Sequence, residues 1–583
     1  MKSFLKNILS TIIGIVSSIV ICILLFIGII SLISSEKEFQ LKNNSILKID
    51  LTNTSVVERT ALNPFDAMNI SGEVSTSIEL KDVLDNIEKA KTDQNIKAIY
   101  INTSFVNAGL SQVEEIRNKL LEFKQTNKPI IAYSEVYSQL AYYLASAANK
   151  IYLNPEGSIE IKGFSAEIMF YKGLLEKLDV DMQIIRHGKF KSAIEPFTLD
   201  KMSTANREQM KRLLNSVSKN IFDSIANQRE LTLSEVNKHA NNLSLESAKS
   251  CVDLKYIDAL LYQDQVEDSL SNISNSKKLN LISLKKYSKI KTEKKDISRD
   301  KIAIIYANGT INSGKGDEKS IGSETTAKAI KKAREDNSVK AIVFRINSGG
   351  GSALASDVIW RETILTKKAK KPLVVSMGDY AASGGYYIAC AADSIVANPN
   401  TITGSIGVFG MIPNLQNLYK NKLGITIDTV KTNKSADMGT NRPLTNFEKR
   451  KIQKSVRNIY NTFISHVSES RNMSKKQVDA ISQGRVWSGY DAKLIGLIDT
   501  YGGLEKSIKI AASLANIKSY RTVSLPKKKD PLTELAQIFG EDNTIYNLVI
   551  NKLGFKNQII DPISDLLQEE KIQARLPFIM RLK

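Results

Sequence analysis

The stretch Ala381-Ala382-Ser383-Gly384-Gly385-Tyr386 sets one hydroxyl among small residues. A peptide backbone can approach such a serine closely, and Gly384 offers an N–H beside it. Upstream, Asn347-Ser348-Gly349-Gly350-Gly351-Ser352 follows an apolar strand pattern and precedes a helical one. Glycine loops in that position expose backbone N–H groups that cradle a phosphate or hold an oxyanion. The loop lacks both the GxGxxG spacing and the Lys-Ser/Thr of a P-loop, which argues against a nucleotide. A serine beside a turn also serves as an ordinary helix N-cap, so Ser383 alone decides nothing.

A nucleophilic serine needs a base. The histidines are only His187, His239 and His466, so imidazole is scarce. A lysine can serve if burial lowers its pKa. Lys191 lies in Phe190-Lys191-Ser192-Ala193-Ile194-Glu195-Pro196-Phe197, where Phe190, Ile194 and Phe197 could desolvate it. Residue types alone leave Lys189, Lys191 and Lys434 open. Asp379, near the serine, reads as a loop or cap residue.

The elements that must hold these groups occur twice. Lys128-PIIAYSEVYSQLAYYLASAANKIYLN-Pro155 matches Lys371-PLVVSMGDYAASGGYYIACAADSIVAN-Pro399 at an offset near 244. Asn95-IKAIYIN-Thr103 matches Ser338-VKAIVFRIN-Ser348, and Phe190-KSAIEPFT matches Asn433-KSADMGTNRPLT. A charged helical stretch follows each, over 206–230 and 446–471. Short β-branched runs alternate with helical spacing such as Val113-EEIRNKLLEF, which predicts βαβ units and a parallel sheet. The strand runs are apolar without alternation, as in sheets covered on both faces. The reading is an α/β tandem repeat over 45–276 and 301–523, with a connector over 277–300. The connector holds one strand pattern, Leu279-NLISL. The final 524–583 matches neither repeat and reads as a helical extension that packs on a partner. The copies diverge at the chemistry: Ser383 aligns with Gln139, Gly384 with Leu140, and the glycine loop with Asn102-Thr103-Ser104.

The chain has 583 residues, 42% hydrophobic and 24% charged. That composition excludes a mostly disordered chain, a fibrous repeat and a polytopic membrane protein. The net charge of +20 comes from 81 Lys+Arg against 61 Asp+Glu. These charges are scattered, with no aromatic-interleaved basic stripe, so no nucleic acid partner is expected. Cys22, Cys251 and Cys390 stand far apart with no CxxC. That argues against a zinc site and a disulfide framework, with a Cys251–Cys390 pair left open.

No charge occurs between Lys6 and Glu36. The run over 8–34 exceeds the roughly 20 apolar residues a spanning helix needs and is longer than a cleaved signal peptide's core. It predicts one retained transmembrane anchor in contact with lipid. Lys2 and Lys6 precede it, which places 1–7 in the cytoplasm and the body outside.

Together these residues resemble the long form of the signal peptide peptidase A family, membrane-bound serine proteases of the Clp protease/crotonase fold group. The resemblance covers the anchor and both repeats. It rests on Phe190-KSAIEPF, Ala381-ASGGYY and Thr403-GSIGVFG in that order. It implies a Ser/Lys dyad with Ser383 as nucleophile and Lys191 as general base. Phe190 and Ile194 stand where the family has Tyr and Val. It further implies oxyanion or support roles for Gly350, Gly351 and Gly384, and a lysine-orienting Ser405. The remaining implications are no metal or cofactor, a homotetramer, signal-peptide remnants as substrate, and a single-pass place in the inner membrane with the bulk on the periplasmic side. The competing expectations are an inactive membrane scaffold and a crotonase-like acyl-CoA enzyme.

Overall fold

A computed structural model describes residues 41–60, 76–276, 278–290, 298–528 and 572–576, with six scattered positions between 10 and 21. Most of the predicted anchor over 8–34, the N-terminus before it, Cys22 and most of the 524–583 extension lie outside the described residues. Among the described residues no helix is long and apolar enough to cross a membrane.

Two parallel sheets form the body, and their strand orders match. The first runs Ala259–Leu260, Lys150–Ile159, Ile130–Tyr137, Ile96–Ile101, Ser45–Ile49, Leu281–Ser283. The second carries Thr500–Tyr501, Ser394–Ala397, Leu373–Ala382, Val339–Ser348, Lys301–Asn308 and Arg521–Leu525 in the equivalent places. All of these neighbours pair in parallel. The connector's strand, Leu281–Ser283, is the edge of the first sheet rather than a free link.

Each sheet is covered on both faces, which explains its unbroken apolar strands. In the first, Leu47, Ile49, Ile99 and Ile101 face one core while Ile46, Ala98 and Tyr100 face another. In the second, Ala303, Ile305, Ile342 and Phe344 face one core and Ile302, Ile304, Ala341 and Val343 the other. The long helices Thr204–Arg229 and Asn446–Arg471 start at Ser203 and Thr445, whose side chains accept the N–H of Asn206 and Glu448. Their apolar positions lie along one buried face, Leu213, Val217 and Ile221 in the first and Val456, Tyr460 and Phe463 in the second. Cys251 and Cys390 are free and buried.

A third sheet crosses between the repeats. Asp181–His187 of the first pairs antiparallel with Val408–Asn414 of the second, from Asp181 opposite Asn414 to His187 opposite Val408. The repeats also share buried charge. Arg345 reaches Glu58 with Nε and one terminal nitrogen, each at 2.8 Å, and Glu115 at 2.8 Å. Asp379 accepts the N–H of Ser111 at 2.8 Å, at the start of the helix Leu110–Lys124. It therefore caps a helix of the other repeat, and burial pushes its carboxyl up to about 6.

Candidate active site

Strand Leu373–Ala382 ends at Ser383, and the helix Gly384–Ala389 begins at once. Ser383 holds φ 55° and ψ −116°, a backbone conformation that L-residues rarely adopt. Its N–H donates to Gly404 O at 2.8 Å, and its carbonyl accepts Tyr387 N–H at 2.9 Å. The side chain makes no cap hydrogen bond, although the residue occupies the N-cap position. That settles the ambiguity over Ser383: its hydroxyl is directed elsewhere.

It is directed at Lys191. The lysine Nζ lies 2.7 Å from Ser383 Oγ, 3.0 Å from Ser405 Oγ and 3.2 Å from Ser405 O. The strand pair across the repeats brings this about. Asp181–His187 runs along Val408–Asn414, the chain turns at Gly188 with φ 108°, and Phe190 N–H is bonded to Gln483 O. Lys191 then enters the second repeat. Its stem lies against the backbones of Gly407 and Gly484, where added methyl groups would meet it at 3.3 and 2.6 Å. Glycine is needed there for close approach. Lys191, Ser383 and Ser405 are all fully buried. Burial alone pushes the lysine well below its ordinary 10.5, toward the neutral amine. Lys189 and Lys434, the other lysines left open by residue type, are exposed and rest over the rings of Phe190 and Phe447.

The glycine loop arrives from strand Val339–Ser348. Gly350 has φ 101°, and a methyl on it would lie 2.7 Å from Gly384 N. Gly350–Ser352 is itself a short strand, with Gly351 opposite Ile311. The loop and the start of the Ser383 helix thus meet with their backbones bare. Two backbone donors converging beside a hydroxyl and a neutral amine suit addition to a carbonyl, with the charge collected on its oxygen. Tyr386 and Ile406 are core residues: Tyr386 donates to Leu497 O at 2.8 Å, and both join the second hydrophobic core. The helix from Ser383 turns the Tyr386 ring inward, away from the cleft. A separate cavity of about 120 Å³ lies between Gly109, Asp379 and Ile402. No cluster of His, Cys, Asp and Glu suited to a metal occurs among the described residues.

Residues that the motifs did not flag also shape the site. Gln209 donates to Phe190 O at 3.1 Å and Ser192 Oγ at 2.9 Å, and accepts Val486 N–H at 3.2 Å. Glu195 accepts the Ser203 hydroxyl at 2.6 Å and the Asn206 amide at 2.9 Å, which fixes the turn after Lys191. Only their nearness to the lysine in sequence and on the following helix could have pointed to them.

The Peptidase family S49 model matches residues 122–277 and 366–518. Protease 4 of Salmonella typhi is 36% identical over 507 residues, covering 85% of this chain and 78% of that protein. Serine protease SPPA, chloroplastic, of Arabidopsis thaliana is 33% identical over 532 residues, covering 88% and 77%. Among solved structures, ClpP1 from Listeria monocytogenes aligns at 18% identity and a TM-score of 0.22, covering 34% of this chain and 91% of that one.

Proposed function

The chain belongs to peptidase family S49 and is a serine peptidase, and from that premise we propose that it cuts membrane-derived signal-peptide remnants with a Ser383/Lys191 dyad. The 2.7 Å approach of a buried, charge-isolated Lys191 amine to Ser383 Oγ carries this reading. Neutral Lys191 accepts the Ser383 proton as Oγ attacks the peptide carbonyl. Ser405 holds the amine in place through its hydroxyl and carbonyl. The N–H groups of Gly351 and Gly384 take the oxyanion, worth about 3–4 kcal/mol per donor in comparable sites. Gly350 supplies the turn that brings the two donors together. Lys191 returns its proton to the leaving amine, and water then frees the acyl-enzyme.

The cleft favours an extended peptide. Strands Gly350–Ser352 and Val408–Asn414 face one another across the width of a single strand. Their edges can take a peptide as an added strand. The apolar run over 8–34 would hold the enzyme at the inner membrane, with its bulk on the periplasmic side. The repeat supports the reading of a homotetramer. Asp181–His187 and Val408–Asn414 join the repeats within one chain. Their counterparts by the 244-residue offset, 425–431 and 164–170, form no strand among the described residues. Ile425 and Ile427 are half exposed, and Met169 is 58% exposed. Pairing these segments between neighbouring chains repeats the internal joint and closes a ring.

The test is cleavage of a fluorogenic signal-peptide substrate by wild type, Ser383→Ala, Lys191→Ala and Lys434→Ala. Both site variants are expected to fall to background, and Lys434→Ala to keep full rate. Full activity of Ser383→Ala would end this reading.

A further inference from the structure

The two oxyanion donors stand at the starts of two different helices. Gly384 opens the helix Gly384–Ala389, and Gly351 directly precedes Ser352, the N-cap of the helix Ala353–Lys368. The distance between the donors therefore depends on how these helices sit against one another. They meet at two points. At the first, a methyl added to Gly384 would lie 2.7 Å from Ser356 Oγ, which itself donates to Ser352 O at 2.8 Å. One turn further along, the Tyr387 hydroxyl donates to Asp357 Oδ1 at 2.6 Å. Tyr387 N–H also donates to Ser383 O, so this tyrosine sits one turn from the nucleophile. Tyr387 is 2% exposed, with its ring centroid 4.7 Å from that of Phe463 and 6.4 Å from that of Trp360. Trp360 in turn stacks on His466 at 3.5 Å, and His466 Nε2 stands 3.5 Å from the same Asp357 oxygen. The carboxylate is half exposed, so it keeps part of its hydration while accepting a short, charge-assisted bond. The first repeat lacks this tie. Tyr143 matches Tyr387, and Glu114 stands as far past its N-cap Gly109 as Asp357 does past Ser352. Glu114 turns instead to the Asn400 amide at 3.0 Å, and Tyr143 lies under the Arg117 guanidinium, 4.8 Å from the ring centroid.

We propose that Tyr387 and Asp357 are positioning residues that fix the spacing between the Gly351 and Gly384 N–H groups, a role that rests on the dyad reading above. Both act through the helices they join rather than on the reacting atoms. A donor stabilises an oxyanion only when it lies about 2.7–3.1 Å from the charged oxygen. Without the tie the two helix starts lose one of their two fixed points, and that distance is spoiled for at least one donor. The uncharged peptide is held along strand edges over several residues, so it tolerates a small shift of one N–H. The charged oxygen of the transition state does not. The loss therefore falls on kcat and not on KM.

The experiment measures kcat, KM and inhibition by a peptide aldehyde, using the full chain in detergent and the fluorogenic signal peptide. Ser383 Oγ bonds to the aldehyde carbon and passes its proton to Lys191, which leaves the former carbonyl oxygen charged between the two donors. The aldehyde Ki therefore reports on the donors directly. Rates are taken per site titrated to completion with a fluorophosphonate, so a variant that folds less fully does not mimic the effect. Tyr387→Phe and Asp357→Ala are each expected to lower kcat about tenfold to hundredfold and to raise Ki by the same factor, with KM within about twofold of wild type. The double variant is expected to lose no more than either single one, because both remove the same bond. Asp357→Asn keeps an oxygen that the hydroxyl can donate to and is expected to recover most of the rate. Ser383→Ala runs alongside, and full activity there overturns both the dyad and the positioning role. With Ser383→Ala inactive, a wild-type kcat and Ki in Tyr387→Phe overturn the positioning role and leave the dyad standing. A loss confined to KM, or one that Asp357→Asn shares in full, overturns it as well.

Discussion

The same strand-to-helix corner occurs in both repeats and has been put to opposite uses. In the second, the residue at the turn is Ser383, with a positive φ, no cap bond and a hydroxyl facing a lysine. In the first, Ser138 caps its helix in a relaxed extended conformation and accepts Ala141 N–H. The next residue, Gln139, accepts N–H groups from Lys162 and Gly163 at 3.1 and 2.9 Å and donates to Gly163 O at 3.1 Å. Those two residues correspond to Ile406 and Gly407, beside the Ser405 that holds the lysine. Gln139 therefore bonds its own loop shut where Ser383 leaves the equivalent corner open. On the proposed dyad, reactivity comes from what a corner leaves unbonded, and the first repeat shows the corresponding corner with a relaxed backbone and that opening closed.

The comparison breaks most severely if the first corner can be revived. Gln139→Ser combined with Ser383→Ala is expected to stay at least about four orders of magnitude below wild type in kcat/KM. Among the described residues no buried lysine faces Gln139, so a new hydroxyl there has no base; recovery of peptide cleavage in a folded double variant would refute this. Next comes the joint that lets one repeat serve the other. Arg345→Leu leaves Glu58 and Glu115 buried without their cation and is expected to cost about 3–5 kcal/mol in urea unfolding. A smaller effect is expected from Gln139→Ala, which strands two N–H donors and one carbonyl. It should lower stability by about 1–3 kcal/mol and leave kcat/KM within a factor of two.

The smallest effect separates function from stability at the second corner. Lys191 has a folded pKa well below 10.5 because burial disfavours its charge. The unfolded chain therefore binds the proton more tightly, and stability rises with pH between the folded value and 10.5. Lys191→Met removes that term. Its thermal midpoint is expected to exceed that of wild type by a few degrees at low pH, with the gain fading as pH approaches 10.5. Activity of wild type is expected to rise with pH through the same folded pKa, since only the neutral amine accepts a proton. A variant whose gain is the same at every pH would show that Lys191 is not held neutral by burial.

The sequence carried the sheets, the repeat and the long helices, because both faces of each sheet are covered and its strands need no alternation. Other parts depended on contacts distant in sequence. Glu114, Glu115 and Lys119 give the helix Leu110–Lys124 the look of a solvated face, yet all three are buried. The reason is the second repeat, which lies against this helix and supplies Arg345, Asn398, Asn400 and Glu505 as partners. The choice among three lysines was equally out of reach locally. Gly407 and Gly484 enclose Lys191, and neither is near it in sequence. The closing segment read as a helical extension. Its described part, Ile572–Arg575, is instead a strand only a few residues long, and what makes it a strand is the gap between Gly350–Ser352 and Val408–Asn414.

The interlock between Asp181–His187 and Val408–Asn414 also sets when in its life the protein becomes a protease. A polypeptide is made from its N-terminus, and Lys191 leaves the ribosome 192 residues ahead of Ser383. Until Val408–Asn414 has emerged and taken up its partner strand, the amine has no enclosure and remains an ordinary solvated ammonium. On the proposed dyad a half-made chain carries no competent base, so growing neighbours are spared.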